Sequence, residues 1–426
     1  MKNLIVLLGL TAILFSPVTL AEANADEFQA LREQILILTQ RLDELEKANQ
    51  QPPPILAQAN ATTPAQMDEV IDEKVYQAVT EQVDERMAAV SWAERMRWKG
   101  DFRYRYETID IEDVDTRSRN RIRARIHMDA YVTDTVRVGF GLATGGEDPV
   151  SSNQTLGGGG SSKDIRLDLA YFDWSGLSNT HIVGGKVKNF LVKPAGHGLM
   201  WDSDWRPEGF GAVWDNGRFF AQGIGTWVES DSKKGDLFAW VAQAGMSFGL
   251  GETTRFKIGA GYAQFNVAGS GSFFGDDDDF FGNSFDPNTL TYLYDYQEVE
   301  VFAGMTMNLA DRPLLVYADY VVNTAIDDND TGYAIGIKYG KASAKGTWDI
   351  SYTYKKLEAD AVIGLLTDSD FGGGGTDAKG SIFKGTWALR KNWNAQFSYF
   401  LNDIDLASGK PRDFDRLQLD LKFKYY

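Results

Sequence analysis

From Lys99 to the C-terminus the chain alternates between apolar and polar positions with a period of two, the signature of half-buried β-strands. The last segment, LQLDLKFKYY, shows it plainly: Leu417, Leu419, Leu421, Phe423 and Tyr425 alternate with Gln418, Asp420, Lys422 and Lys424. An apolar face opposite a charged face, running to an aromatic terminus, fits the closing strand of a membrane barrel. Sixteen strands are expected, spanning 98–108, 118–132, 134–145, 163–174, 180–190, 208–215, 218–229, 236–248, 253–266, 294–308, 312–323, 330–341, 346–358, 377–390, 392–403 and 414–426. Fourteen and eighteen are the neighbouring even counts. Short connections, such as Thr133-Asp134, Asn216-Gly217 and Ala310-Asp311, alternate with long ones at 146–162, 191–207, 267–293 and 359–376. Short periplasmic turns and long external loops have this asymmetry. The expected fold is therefore all-β: a transmembrane antiparallel barrel over 98–426, with every short connection in the periplasm.

Before Lys99 the period is helical. Residues 1–25 read as a signal peptide, with Lys2, an apolar stretch from Leu4 to Leu14 and a small-residue site at Ala23-Asn24-Ala25. That stretch is shorter than the ~20 residues of a membrane-spanning helix. Over 26–49, Phe28, Leu31, Ile35, Leu38, Leu42 and Leu45 recur at spacings of three and four, a heptad seam. The seam suits a self-associating periplasmic coiled coil of two or three strands, or a helix docked on the barrel. A proline-rich linker over 50–66 follows, then an amphipathic helix over 67–92. An oligomer, a homotrimer first, is the expected assembly.

The phase of strand two fixes its faces. Ile122, Ala124, Ile126 and Met128 share one side; Arg121, Arg123, Arg125 and His127 share the other. An arginine at the bilayer midplane costs about 2–4 kcal/mol, so the arginines face the lumen. Strand one puts Arg103 and Arg105 on the lumen side and Phe102, Tyr104 and Tyr106 on lipid. Closure brings Lys422 and Lys424 to the same wall, and Lys186 and Lys188 are candidates to extend it. One reading is polar filling; the other is a basic ladder that attracts anions. The loop from Phe190 to Gly211, rich in Trp, Gly and Pro, is the candidate constriction, with Asp202, Asp204 and Glu208 opposing the basic wall.

At these segments the sequence resembles the putative porin family of Gram-negative bacteria. The stretches that carry it are RNRIRARIHM (119–128), GFGLATGGEDPVSSNQTLGGGGSSKDIRLDLAYFDW (139–174), GGKVKNF (184–190) and LMWDSDWRPEGFG (199–211). The resemblance implies an outer-membrane barrel, oligomeric, admitting small hydrophilic solutes or ions, with no catalytic residues.

Composition narrows the alternatives. The formal charge of −17 argues against nucleic-acid binding, and the absence of cysteine removes disulfides and thiolate chemistry. Aromatic residues at 13% with a mean hydropathy of −0.31 suit a barrel with a polar interior. His127, His181 and His197 fall on separate elements, so no catalytic site, cofactor or metal site is expected. Gly157–Gly160 and Gly372–Gly375 read as flexible loop tips, and Asp276–Asp279 as a solvated acidic run. The function expected is passive diffusion across the outer membrane; the alternative is a structural tether to the cell wall with incidental conduction.

Overall fold

The computed structural model describes residues 95–230 and 235–426. The signal segment, the helices expected over 26–49 and 67–92 and the linker between them lie outside the described residues, as do Phe28, Leu31, Ile35, Leu38, Leu42 and Leu45.

Sixteen long strands close into an antiparallel barrel. They are β1 Met96–Ile111, β2 Val114–Tyr131, β3 Val136–Thr144, β4 Ile165–Trp174, β5 Thr180–Lys186, β6 Glu208–Asp215, β7 Phe219–Glu229, β8 Leu237–Leu250, β9 Thr254–Phe265, β10 Tyr296–Leu309, β11 Arg312–Asn323, β12 Thr331–Gly340, β13 Trp348–Leu357, β14 Ala378–Arg390, β15 Trp393–Ile404 and β16 Arg412–Tyr425. Each pairs with the next, and β16 returns to β1 with Gly100 opposite Tyr425 and Ile111 opposite Phe414. No edge is left unpaired, as hydrocarbon requires. At the seam the Tyr425 ring covers Gly100, where a Cβ would lie 2.3 Å from the ring, and its hydroxyl donates to the Arg125 carbonyl at 2.8 Å.

Burial is inverted relative to a water-soluble protein. Phe102, Tyr104, Tyr106, Val301, Ile335, Ile350 and Leu419 are exposed, while Arg105, Glu107, Asp129, Glu300, Lys355 and Gln418 are buried. A continuous apolar exterior of this kind is a lipid-facing surface.

The first hairpin departs from the expected pattern. β1 and β2 run on to a tight turn at Glu112-Asp113, where Asp113 takes a positive φ of 63°. A short connection therefore stands on the external side as well. Alternation persists through Ile109 and Ile111, and the outer end of β1 is also paired with β16, so the ladder extends where a loop was expected.

The long connections fold inward. Residues 187–207 and 358–377 meet in the lumen, with Leu199, Trp201, Val362, Ile363 and Leu366 buried in one apolar cluster with Phe265, Tyr292 and Tyr296. Trp201 stacks on Trp205 at 4.9 Å between ring centres and meets Phe265 at 6.2 Å. The two loops cross where Gly198 lies against Asp368; a Cβ there would come within 2.8 Å of the Asp368 Cβ. Gly372–Gly375 belong to this packing, in contrast to the flexible tip expected of them: the Gly375 carbonyl accepts from Thr367 and the Gly372 amide donates to Asn402. Gly157–Gly160 are exposed.

The plug rests on strands from β5 to β13. Charged side chains crowd the remaining wall, made by β14, β15, β16 and β1 to β4. The charged side chains inside the barrel therefore lie off-centre, along that wall.

Candidate functional site: a charged network on the β16–β1–β2 wall

Strand register assembles the wall. Lys422 lies opposite Arg103 across the β16–β1 seam, and Arg103 lies opposite Arg123 on β2. One step outward, Asp420, Arg105 and Arg121 form the next row, followed by Gln418, Glu107 and Arg119. Like charges placed directly opposite destabilise a sheet, so the rows need counter-charges.

Most arginines find them. Arg105 grips Asp420 through two hydrogen bonds of 2.7 and 3.0 Å and reaches Asp370 at 3.0 Å. Glu107, wholly buried, accepts from Arg119, from Arg121 at 3.5 Å and from Arg416 at 2.8 Å. Asp101 accepts from Arg123 and from Arg125, each at 2.8 Å. Fork-to-carboxylate pairs of this kind fix geometry as well as charge.

Two loop carboxylates complete the network. Asp204 sits 2.8 Å from Arg125 and 3.5 Å from Arg123 and accepts from the Ser152 hydroxyl at 2.9 Å. Burial alone would raise its pKa, but Arg123, Arg125 and Arg206 together hold it below the usual carboxylate range. Asp370, from 358–377, bridges Arg105 and Arg416. The inward loops are thus pinned to the basic wall by their own acids. On the far side Lys355 of β13 donates to the Gly198 carbonyl at 3.1 Å, with its ammonium 4.0 Å above the Phe371 ring.

The candidate residues separate into three groups. Arg103, Arg105, Arg123, Arg125, Lys188, Lys422 and Lys424 border one cavity of about 620 Å³ beside the β1–β16 seam. Arg121 faces a second cavity of about 500 Å³ on the external side. Lys186 and Glu208 border a third cavity of about 630 Å³, which Asp168, Asp204 and Arg206 also line. They are paired with each other, and Lys186 also stands opposite Ala170, itself opposite the exposed Phe140. Their register is that of the outward face, because β5 ends at Lys186 and the chain turns inward only from Val187.

Asp202 and Asp204 also part company. Asp204 touches the wall, whereas Asp202 joins the two loops. Its backbone N–H donates to the Leu366 carbonyl at 2.7 Å, and its carboxylate accepts from the Asp204 and Ser369 amides at 2.6 and 3.1 Å. Burial, then the Asp368 and Asp204 carboxylates, push its pKa up to about 7. Asp101, Glu107, Asp420 and Arg416 share the lumen phase of their strands and were open to sequence reading. Asp370 was not, because a loop carries no alternation.

Asp168, Asp204 and Arg206 border both the cavity beside the seam and the third cavity of about 630 Å³ that Lys186 and Glu208 line. Arg206 donates to Asp168.

The family described as "Putative porin" matches residues 111–274 and 282–425. The chain belongs to this family. No curated protein matches. Among solved structures, it is similar to the high-pH structure of Pseudomonas putida OprB, at 12% identity over 80% of this chain and 97% of that one, with a TM-score of 0.53. Salmonella typhi OmpF in complex with daunomycin gives 14% identity, 78% and 97% coverage and a TM-score of 0.46. The trimer form of Vibrio cholerae OmpT folded in vitro gives 13%, 78%, 99% and 0.46. The OprB match shows the shared barrel fold, and the family decides the function: this porin is a diffusion channel of the outer membrane.

Proposed function

We propose that this porin passes small hydrophilic solutes with a preference for anions, along the wall built by β14 to β16 and β1 to β4. The observation that carries this reading is the cavity beside the seam, bordered by ten basic and six acidic side chains. Ion pairing moderates the field without cancelling it. Under a KCl gradient across a planar bilayer, the reversal potential should take the sign of chloride preference; the opposite sign would overturn the reading. Replacing Arg103, Arg121 and Arg123 by Gln should shift the potential toward cations, because Glu107, Asp101 and Asp204 then lose partners. The shift should shrink at molar salt, where screening tightens from about 8 Å to about 3 Å.

We infer also that the porin is a homotrimer in the lipid of the outer membrane, with residues 26–92 in the periplasm. The heptad seam from Phe28 to Leu45 supports the assembly, and the exposed apolar wall supports the lipid contact. The double substitution Ile35→Asp and Leu38→Asp would bury charge in the seam and should weaken the oligomer in mild detergent. An oligomer unchanged in mass would dissociate the helix from assembly.

A further inference from the structure

The network around the constriction leaves particular cations without counter-charges, and they border the same cavity. Arg103 is 7% exposed, yet it makes no carboxylate pair among the described residues. One of its Nη atoms donates to the Asn153 side chain, and its Nε is buried with no acceptor at all. Asp420 and Asp370, the acids nearest in the network, are already held by Arg105 and Arg416. Lys188, Lys384 and Lys424 likewise have no ion-pair partner among the described residues, and all three border the cavity. Lys422, directly across from Arg103, spends its ammonium on Gln396 at 2.5 Å and only a longer approach to Asp420 at 3.4 Å.

Leaving a buried guanidinium nitrogen unmatched is costly, the more so for a charged group. The sequence supplies acids for Arg105, Arg119, Arg121, Arg123, Arg125 and Arg416, whereas Arg103 borders the cavity with no carboxylate partner among the described residues. Gln396, Ser398 and Gln418 border the same space and offer neutral hydrogen bonds beside the charges. A guanidinium fork next to an ammonium matches clustered anionic oxygens rather than a single halide.

We propose that this cavity is a binding station for small oxyanions carrying two or more negative charges, held among Arg103, Lys384 and Lys422 as they cross. This rests on the anion-preferring route proposed above and adds to it a saturable site. Binding must stay weak enough for release, so an affinity near 1 mM, about 4 kcal/mol, suits a conducting pore.

The test uses the full-length channel in a planar bilayer, with inorganic phosphate as the probe. Phosphate added at constant KCl should lower the current saturably, with half-block at about 1 mM, and citrate should compete for the same block. Arg103→Gln combined with Lys384→Gln should raise the half-blocking concentration about tenfold, which is about 1.4 kcal/mol, each channel being scored against its own KCl current. Should that variant fail to insert, Lys188→Gln with Lys384→Gln removes two unpaired charges from the same cavity and should weaken the block in the same direction. A block of equal depth by the univalent oxyanion acetate at matched ionic strength, or a phosphate block that both variants leave untouched, overturns the station. Chloride preference without phosphate block would sink this inference alone. Cation preference would sink the reading beneath it.

Discussion

Glu107→Leu should yield a barrel that unfolds at markedly lower urea concentration than the parent. Glu107 has no exposed surface and is the shared acceptor of Arg119, Arg121 and Arg416, with Arg105 at 4.0 Å. Leucine fills similar volume but leaves guanidiniums from three strands facing one another. Breaking a buried pair by deleting one partner costs about 3–5 kcal/mol, and here several cations share the one anion. The cavity beside Arg119, Arg121 and Arg416 lets water recover part of that cost, so the lower end of the range is expected. Glu107→Gln, which keeps an acceptor and loses the charge, should fall between parent and leucine variant. Equal urea midpoints for all three would mean that lumen water, not Glu107, solvates these arginines.

The same residue shows what alternation can and cannot give. Asp101, Arg103, Arg105 and Glu107 occupy successive lumen positions of β1, so the acids were as legible as the bases. Only their pairing needed the register. Fixing β1 between β16 and β2 turns a string of charges into rows, and the rows decide which arginines are neutralised. The strands themselves were legible because each crosses from water to lipid over a fixed length, which forces the period of two throughout.

Three features escaped that logic. The outer end of the first hairpin is strand because β16 supports it, a non-local fact invisible within 109–117. Lys186 and Lys188 share a phase in sequence, yet the strand stops between them, and only Lys188 enters the lumen with the inward loop. The collapse of 358–377 onto 187–207 depends on Val362, Ile363, Leu365 and Leu366 finding Trp201 and its neighbours. Gly372–Gly375 there read as a flexible tip and are instead the close-packed end of that loop.

Trp201→Ala should open the pore while leaving the wall intact. Trp201 is 2% exposed and lies between Trp205 and Phe265, tying 187–207 to β9. Truncating a buried Trp costs about 3–5 kcal/mol, and that loss falls on the loop. The strand ladders contain no bond from Trp201, and closure through β1 and β16 is unaffected. Lys355, the Asp204 pairs, the Asp202 bonds to 358–377 and the Val192–Gln243 bonds still hold the ends of this loop, so the expected result is loosening around position 201 rather than unfolding. On the proposal that this loop narrows the route, single-channel conductance should rise. Resistance of the barrel to heat in detergent should stay near that of the parent. Conductance equal to the parent's, in a channel with unchanged heat resistance, would place the constriction elsewhere than at 187–207. Loss of the folded barrel would show that the apolar plug stabilises the wall itself.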